Sequence, residues 1–311
     1  MNHSEAILAI FALSLATTCA ADGLSPGDHR VEIRYGGLAR SYIAHVPPQS
    51  GRALPVVINL HGGGGNAANQ QKYSLMDALA DQAGFIAVYP NGTGRFQDRL
   101  LTWNAGTCCG SAALGQVDDV GFIAAVLDDL AARTSIDAMR VYATGLSNGA
   151  MMAYRLAAEL PRRIAAIAPV AGTMVLPSEK PPRPVPVLHI HSVDDPRALY
   201  AGGLGPPFPM TTTRIFHPAV ADTLERWSAA NGCRGEPKAV ETRRAGGQTA
   251  THLVYPRCAA PLEHWRLTGA GHVWPGGVQK YLPGLLGQGT NLIDANTEMW
   301  RFFSRISSAG H

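Results

Sequence analysis

A short stretch near the middle of the chain has the residue types of a nucleophile on a tight turn. An apolar run is followed by Gly145-Leu146-Ser147-Asn148-Gly149 and then by apolar residues at helical spacing. In a sharp strand-to-helix turn the residues two before and two after the serine approach each other, so both must be small. The turn would expose the Ser147 hydroxyl beside the N–H of Asn148, at the positive end of a helix dipole. The stretch therefore predicts a serine nucleophile, with an ordinary Ser-Asn-Gly turn as the alternative.

A serine hydroxyl needs a base and a third group that orients the base. On a strand–turn–helix nucleophile these partners follow in the order acid, then histidine. His272 lies in a glycine-rich loop after one apolar run, and Asp194 and Asp195 follow another. Loops after parallel strands meet at one edge of the sheet. We therefore expect a Ser147–His272–Asp195 triad, with Asp194 as a competing acid. The alternative for His272 is a loop residue hydrogen-bonded to the backbone, and the alternative for Asp195 is to cap a turn.

Backbone N–H groups are expected to bind the oxyanion of such a reaction. Asn148 directly follows the serine and supplies one of them. A glycine loop, His61-Gly62-Gly63-Gly64, follows an earlier apolar run and lets the backbone approach a substrate. We expect Gly63 to supply the second donor rather than Gly64, and we interpret His61 as a structural loop residue.

Two other residue pairs could also do chemistry. Trp103 and Trp274 lie on loops expected near the site, where they could either bind substrate by stacking or pack the loops. His189 and His191 alternate along one strand and face the same side. A metal site needs further ligands, and the sequence places none beside them, so neither a metal nor another cofactor is expected.

The rest of the chain provides the frame. Buried apolar runs alternate with amphipathic segments from residue 55 onward, which predicts an α/β fold with a mostly parallel sheet and helices on both faces. A chain of 311 residues without repeats or low-complexity linkers fits a single catalytic domain, expected over residues 22–311. The formal net charge is only +3 and no stretch is densely basic, so no nucleic-acid partner is expected.

The N-terminus and the cysteines both indicate export. Residues 6–16 are an apolar run too short to span a membrane, and small residues follow at 18–21, so residues 1–21 are expected to be a cleaved signal peptide. No other run is long enough for a membrane span. A secreted or periplasmic location follows. An even number of cysteines after the signal favours disulfides in three possible connectivities among Cys108, Cys109, Cys233 and Cys258.

Taken together, these motifs resemble a secreted esterase group of the α/β-hydrolase superfamily. The group includes poly(3-hydroxybutyrate) (PHB) depolymerases, LpqC-type proteins and family-1 feruloyl and acetylxylan esterases. The matching segments lie at 61–64, 103–110, 117–122, 145–149, 169–173, 189–191, 195, 231–233 and 271–276. They are spread over nearly the whole chain after residue 40.

The resemblance implies a catalytic Ser147–Asp195–His272 triad and a Cys233–Cys258 bridge. Where similar proteins often have Gly-Thr-Ala-Asp, this chain has Ser192-Val193-Asp194-Asp195. The implied activity is hydrolysis of carboxylic esters, on a polyester oligomer or a plant cell-wall ester such as a feruloyl or acetylxylan ester. A serine peptidase and a non-catalytic surface-binding protein on a hydrolase scaffold are the alternatives.

Overall fold

The computed structural model describes residues 23–49, 52–176, 183–208 and 212–306. The expected signal peptide at residues 1–21 lies outside the described residues. Within them, no helix is long and apolar enough to cross a bilayer.

The described residues form twelve strands in chain order. They are β1 (Gly27–Tyr35), β2 (Leu38–Val46), β3 (Leu54–Leu60), β4 (Ile86–Pro90), β5 (Ile136–Leu146), β6 (Ala166–Val170), β7 (Val187–Ser192), β8 (Gly203–Leu204), β9 (Phe216–His217), β10 (Lys238–Ala245), β11 (Gln248–Val254) and β12 (Leu262–Thr268).

Eight helical segments connect or follow these strands in the described part of the chain. They are α1 (Ala67–Ser74), α2 (Met76–Ala83), α3 (Gly110–Leu114), α4 (Asp119–Arg133), α5 (Asn148–Glu159), α6 (Val220–Ala230), α7 (Pro283–Leu286) and α8 (Ala295–Phe303).

Ten of the strands form one sheet in the order β1-β2-β4-β3-β5-β6-β7-β12-β11-β10. The six central strands, from β4 to β12 in that order, are parallel to one another. The two strands at each end pair antiparallel. The loops after β3, β5, β7 and β12 therefore leave the sheet at the same edge, which confirms the expected mostly parallel sheet.

The hydrophobic core lies on both faces of this sheet. Successive residues of a strand point to opposite faces, and in β3 Val56 and Ile58 belong to one apolar cluster whereas Val57 belongs to the other. Residues of α4, α5 and α6 pack in the first cluster, and residues of α1, α2 and α8 pack in the second. Burial on both faces explains why the central strands are continuous apolar runs.

Two features of the fold differ from the sequence prediction. Lys238–Ala245 forms an edge strand that the sequence did not indicate, because an almost fully exposed strand has no apolar alternation. Apolar residues at helical spacing from Tyr73 to Ala83 predict one helix after the glycine loop. The structure has two helices there, since Leu75 adopts a left-handed conformation with φ 57° between α1 and α2.

Candidate active site

Ser147 lies at the junction of a central strand and a helix. β5 ends at Leu146 and α5 begins at Asn148, and Ser147 between them has φ 57° and ψ −118°. A positive φ is uncommon for a residue with a side chain and is maintained only where the surrounding structure enforces it. Here the Ser147 N–H donates to Val170 O at 2.9 Å, and Ser147 O accepts from Met151 N at 3.0 Å. The backbone on both sides thus holds the serine in this conformation.

The flanking glycines are required by the space around the turn. A Cβ at Gly145 would lie 2.6 Å from Leu60 O and 2.7 Å from the carbonyl carbon of Gly149. A Cβ at Gly149 would collide with Leu60 O as well. Gly145 and Gly149 therefore approach each other closely, as the Gly-x-Ser-x-Gly spacing predicted. The end of strand β3, at Leu60, also packs against both glycines.

His272 and Asp195 are hydrogen-bonded to each other at the same edge of the sheet. The distance from His272 Nδ1 to Asp195 Oδ2 is 2.7 Å, and both side chains are buried. Because an ionised carboxylate only accepts hydrogen bonds, Nδ1 carries the proton of this bond, and in the neutral ring Nε2 is the acceptor. Asp194 has a different partner, since its Oδ2 accepts from Gly269 N at 2.6 Å and the residue is exposed. The structure therefore pairs His272 with Asp195.

The Asp195 carboxylate is held at both oxygens. Oδ1 accepts from the N–H groups of Arg197 at 2.7 Å and Ala198 at 2.8 Å, and His191 Nε2 lies 3.3 Å from Oδ2. Burial by itself raises the pKa of Asp195, but the charge of His272 and the contacts from His191 and His272 hold this pKa well below its usual range. The carboxylate thus stays ionised and keeps a fixed orientation toward His272.

The glycine loop after β3 lies against the serine turn. A Cβ at Gly62 would be 3.6 Å from Ser147 Cβ, and one at Gly63 would be 3.7 Å from Asn148 Cβ. Gly64 N donates to Leu101 O at 2.8 Å. Among the hydrogen bonds of the described residues, none uses the N–H of Gly63 or of Asn148. The two N–H groups expected to bind an oxyanion are therefore both available, and that of Gly64 is not.

Both tryptophans expected near the site are buried and hydrogen-bonded within the protein. Trp103 is 0 % exposed and donates its indole N–H to His61 O at 3.0 Å. Its backbone N–H donates to Asn148 Oδ1 at 2.7 Å, and its carbonyl accepts from Asn148 Nδ2 at 3.1 Å. Trp274 is 1 % exposed and donates to Asn296 Oδ1 at 3.1 Å. A ring with no exposed face packs a loop more readily than it stacks on a ligand, so the burial favours the packing alternative for both.

His61 has the contacts of a structural loop residue. Its Nδ1 lies 2.8 Å from Gly62 O, and its Nε2 accepts from Gly92 N at 3.0 Å. Burial lowers the pKa of His61 to about 4. The ring is therefore neutral at pH 7 and connects the glycine loop to the segment after β4.

The four described cysteines form two disulfides. Cys233, just after α6, is bonded to Cys258, which lies before β12. Cys108 is bonded to its neighbour Cys109. The bridge that the family resemblance implied is therefore confirmed, and the structure selects one of the three connectivities that the residues alone left open.

Three residues near the site were not predicted from the sequence as members of the site. The Phe208 ring lies 3.5 Å from the position of a Cβ at Gly63. His217 is buried, and its lowered pKa responds to burial and to the charge of His272. His191 contacts Asp195 from four residues earlier in the chain. Only His191 had a usable signal, namely its alternate position on the strand that leads to Asp195.

Comparison with known sequences gives consistent results. The sequence model described as "Esterase PHB depolymerase" matches residues 40–213, more than half of the chain. "Putative esterase NocK" of Nocardia uniformis subsp. tsuyamanensis is 33 % identical over 82 % of this chain and 76 % of that protein. The "Bifunctional acetylxylan esterase/xylanase XynS20E" of Neocallimastix patriciarum is 31 % identical over 77 % of this chain. The matched region spans only 32 % of that longer protein.

Comparison with solved structures supports the fold. An acetyl xylan esterase from Aspergillus awamori superposes with a TM-score of 0.56 at 16 % identity, covering 85 % of this chain and 94 % of that one. At this level of identity the likeness concerns the fold alone. Together with the parallel sheet and the serine turn, it establishes the α/β-hydrolase fold.

Proposed function

Since the chain belongs to the esterase PHB depolymerase family and is a carboxylic ester hydrolase, we propose that Ser147, His272 and Asp195 carry out the hydrolysis. The observation that carries the proposal is the 2.7 Å hydrogen bond from His272 Nδ1 to Asp195 Oδ2. It leaves His272 Nε2 as a proton acceptor at the edge of the sheet where the turn carries the half-buried Ser147.

The reaction proceeds through an acyl-enzyme. His272 Nε2 takes the Ser147 proton as Oγ forms a bond to the ester carbonyl carbon, and the N–H groups of Gly63 and Asn148 bind the resulting oxyanion. Collapse of this intermediate breaks the bond to the alcohol, which leaves with the proton from His272. Water then attacks the acyl group by the same steps and releases the acid. Asp195 keeps the proton of His272 on Nδ1 throughout.

The test is Ser147→Ala with p-nitrophenyl butyrate as substrate. Loss of the nucleophile is expected to lower kcat by about 10⁶-fold. Ser228→Ala is the matched control, because Ser228 is likewise half-buried but lies on α6, and it should keep full activity. A fluorophosphonate should label Ser147 in the parent protein and in the control. Activity of Ser147→Ala within tenfold of the parent would refute the proposal.

A cavity lined by residues from the segment that follows Gly172 and the segment that precedes α6 supports a polyester-like substrate. Its volume is about 500 Å³, its apolar wall includes Met174, Val175 and Phe216, and Arg214 and Arg226 also line it. Gly172, two residues before Met174, packs on Ser147 O. A 3-hydroxybutyrate oligomer has an apolar body with a carboxylate end, which these walls complement, and so it is the substrate class we propose.

Feruloyl and acetylxylan esters are the second candidate class, because relatives carry those names. Initial rates on 3-hydroxybutyrate trimer, methyl ferulate and acetylated xylan would separate the candidates. We expect the trimer to be hydrolysed fastest and its carboxyl-methylated form more slowly. Equal rates on the trimer and its methyl ester would refute a role for the two arginines, and a preference for ferulate would select the second class. Turnover of peptide substrates would point to a peptidase instead.

The protein is further proposed to be secreted or periplasmic, with residues 1–21 removed as a signal peptide. The two disulfides support this, because such bonds persist in oxidising compartments. Intact mass of the protein isolated from its native host should correspond to a chain that begins at residue 22, and an unprocessed cytosolic chain would contradict the proposal.

A further inference from the structure

Three buried side chains connect the helix after Ser147 to the turn that carries Asp195. Tyr154 of α5 lies 2.7 Å from His189 Nδ1 through its hydroxyl. His189 Nε2 lies 3.2 Å from His191 Nδ1, and His191 Nε2 lies 2.8 Å from Ala198 O. All three side chains are at most 1 % exposed. Because no solvent reaches them, their polar atoms depend on one another for hydrogen bonds.

These hydrogen bonds form a series that runs from Tyr154 through His189 and His191 to Ala198 O. One arrangement of protons satisfies the whole series when both imidazole rings are neutral. Ala198 O can only accept, so His191 Nε2 carries a proton and His191 Nδ1 accepts. His189 Nε2 must then donate to it, which leaves His189 Nδ1 to accept from the Tyr154 hydroxyl. Burial raises the pKa of Tyr154 well above its usual value, and burial and the neighbouring imidazoles lower the pKa of His189. Both groups therefore keep the protonation state that this arrangement needs.

The series ends on the turn that fixes Asp195. Ala198, whose carbonyl is held by His191, donates its own N–H to Asp195 Oδ1 at 2.8 Å. The same His191 Nε2 is 3.3 Å from Asp195 Oδ2, the oxygen that accepts from His272. We propose that His191 is a positioning residue for Asp195, braced from α5 by Tyr154 and His189. The proposal rests on the triad proposed above.

The strand beside β7 offers a matched control. His264 of β12 pairs in register with His189, is equally buried, and bonds to His189 O and to the Tyr200 hydroxyl. Neither of these two hydrogen bonds reaches Asp195 or Ala198. Replacing His264 by leucine therefore removes a buried imidazole of the same kind while leaving the series from Tyr154 to Ala198 in place.

The experiment compares kcat and KM for p-nitrophenyl butyrate among four variants of the full chain. His191→Leu should lower kcat by about 10- to 100-fold with KM within about twofold, because a small displacement of a triad partner slows chemistry without weakening binding. His191→Gln retains a donor near Nε2 and should recover kcat to within about threefold of the parent. His264→Leu should keep kcat within about twofold. Circular dichroism and thermal unfolding check that each variant is folded.

Tyr154→Phe keeps the inference testable if His191→Leu does not fold. It removes only the hydroxyl and should lower kcat about fivefold at constant KM, because His189 loses its hydrogen bond to Tyr154 and holds His191 less firmly. The inference would be overturned if His191→Leu and His264→Leu lost kcat equally. It would also be overturned if Tyr154→Phe kept the parent kcat and His191→Gln did not recover kcat. Activity that survives Asp195→Asn would instead overturn the proposed triad.

Discussion

Replacing Asp195 by asparagine tests the orientation of His272 with almost no change of shape. Oδ1 of Asp195 accepts two backbone N–H groups, at 2.7 and 2.8 Å, and an asparagine oxygen would keep both of them. Its NH₂ group must then occupy the position of Oδ2, 2.7 Å from His272 Nδ1. Two donors cannot face each other at that distance, so the imidazole adopts the tautomer with its proton on Nε2.

In that tautomer His272 cannot accept the Ser147 proton. Loss of the acceptor corresponds to a fall in kcat of about 10⁴-fold, or about 5.5 kcal/mol of transition-state stabilisation. KM should change little, because neither residue is expected to bind the substrate in its ground state. The thermal unfolding midpoint should stay within a few degrees of the parent value, since both backbone hydrogen bonds to the side chain remain.

The assay is steady-state hydrolysis of p-nitrophenyl butyrate, with Asp194→Asn as the control. Asp194 is adjacent in sequence and of the same type, but it is exposed and accepts from Gly269 N. Asp194→Asn should retain more than half of the activity. If Asp195→Asn keeps a tenth or more of the parent kcat, or if the Asp194 variant loses as much, the deduction that Asp195 orients His272 is refuted.

Two further predictions concern stability. Burial lowers the pKa of His61 to about 4 and that of His264 to about 3, whereas unfolded histidine titrates near 6.5. Between these values the unfolded chain binds more protons, so the unfolding free energy should fall as pH drops from 6.5 to 4, by up to about 1.4 kcal/mol per pH unit for each histidine. Urea unfolding at pH 7, 5.5 and 4.5 measures this, His264→Gln should flatten the slope, and equal stability at pH 7 and 4.5 would contradict it. Removing the Cys233–Cys258 bridge, which spans 25 residues, should cost about 3 kcal/mol. Urea unfolding of the double Cys→Ala variant checks that value, and a loss below about 1 kcal/mol would contradict it.

Local patterns predicted most of the frame. The central strands are continuous apolar runs because both of their faces are covered, and such runs are visible without a structure. The edge strand Lys238–Ala245 has no buried face and so left no pattern to detect. The break at Leu75 was also missed, because a left-handed residue between two helices has no side-chain signal when it is not glycine or asparagine.

The sequence by itself determined the features whose cause lies within a few residues. The spacing of Gly145 and Gly149 around Ser147 is one of them, because the tight turn imposes it locally. The succession of apolar runs that place Ser147, the two aspartates and His272 after different strands is another.

The tertiary structure decided which of several residues of the same type make the hydrogen bonds of the site. Asp195 rather than Asp194 contacts His272. Within the described part of the chain the N–H of Gly63 makes no hydrogen bond, whereas that of Gly64 donates to Leu101 O, because distant loops supply the competing partners. Trp103 and Trp274 are likewise buried because residues far away in the sequence, His61 and Asn296, pack against and accept from their indole groups. Residue type and spacing limit what a side chain can do, whereas its actual partner depends on elements brought together from far along the chain.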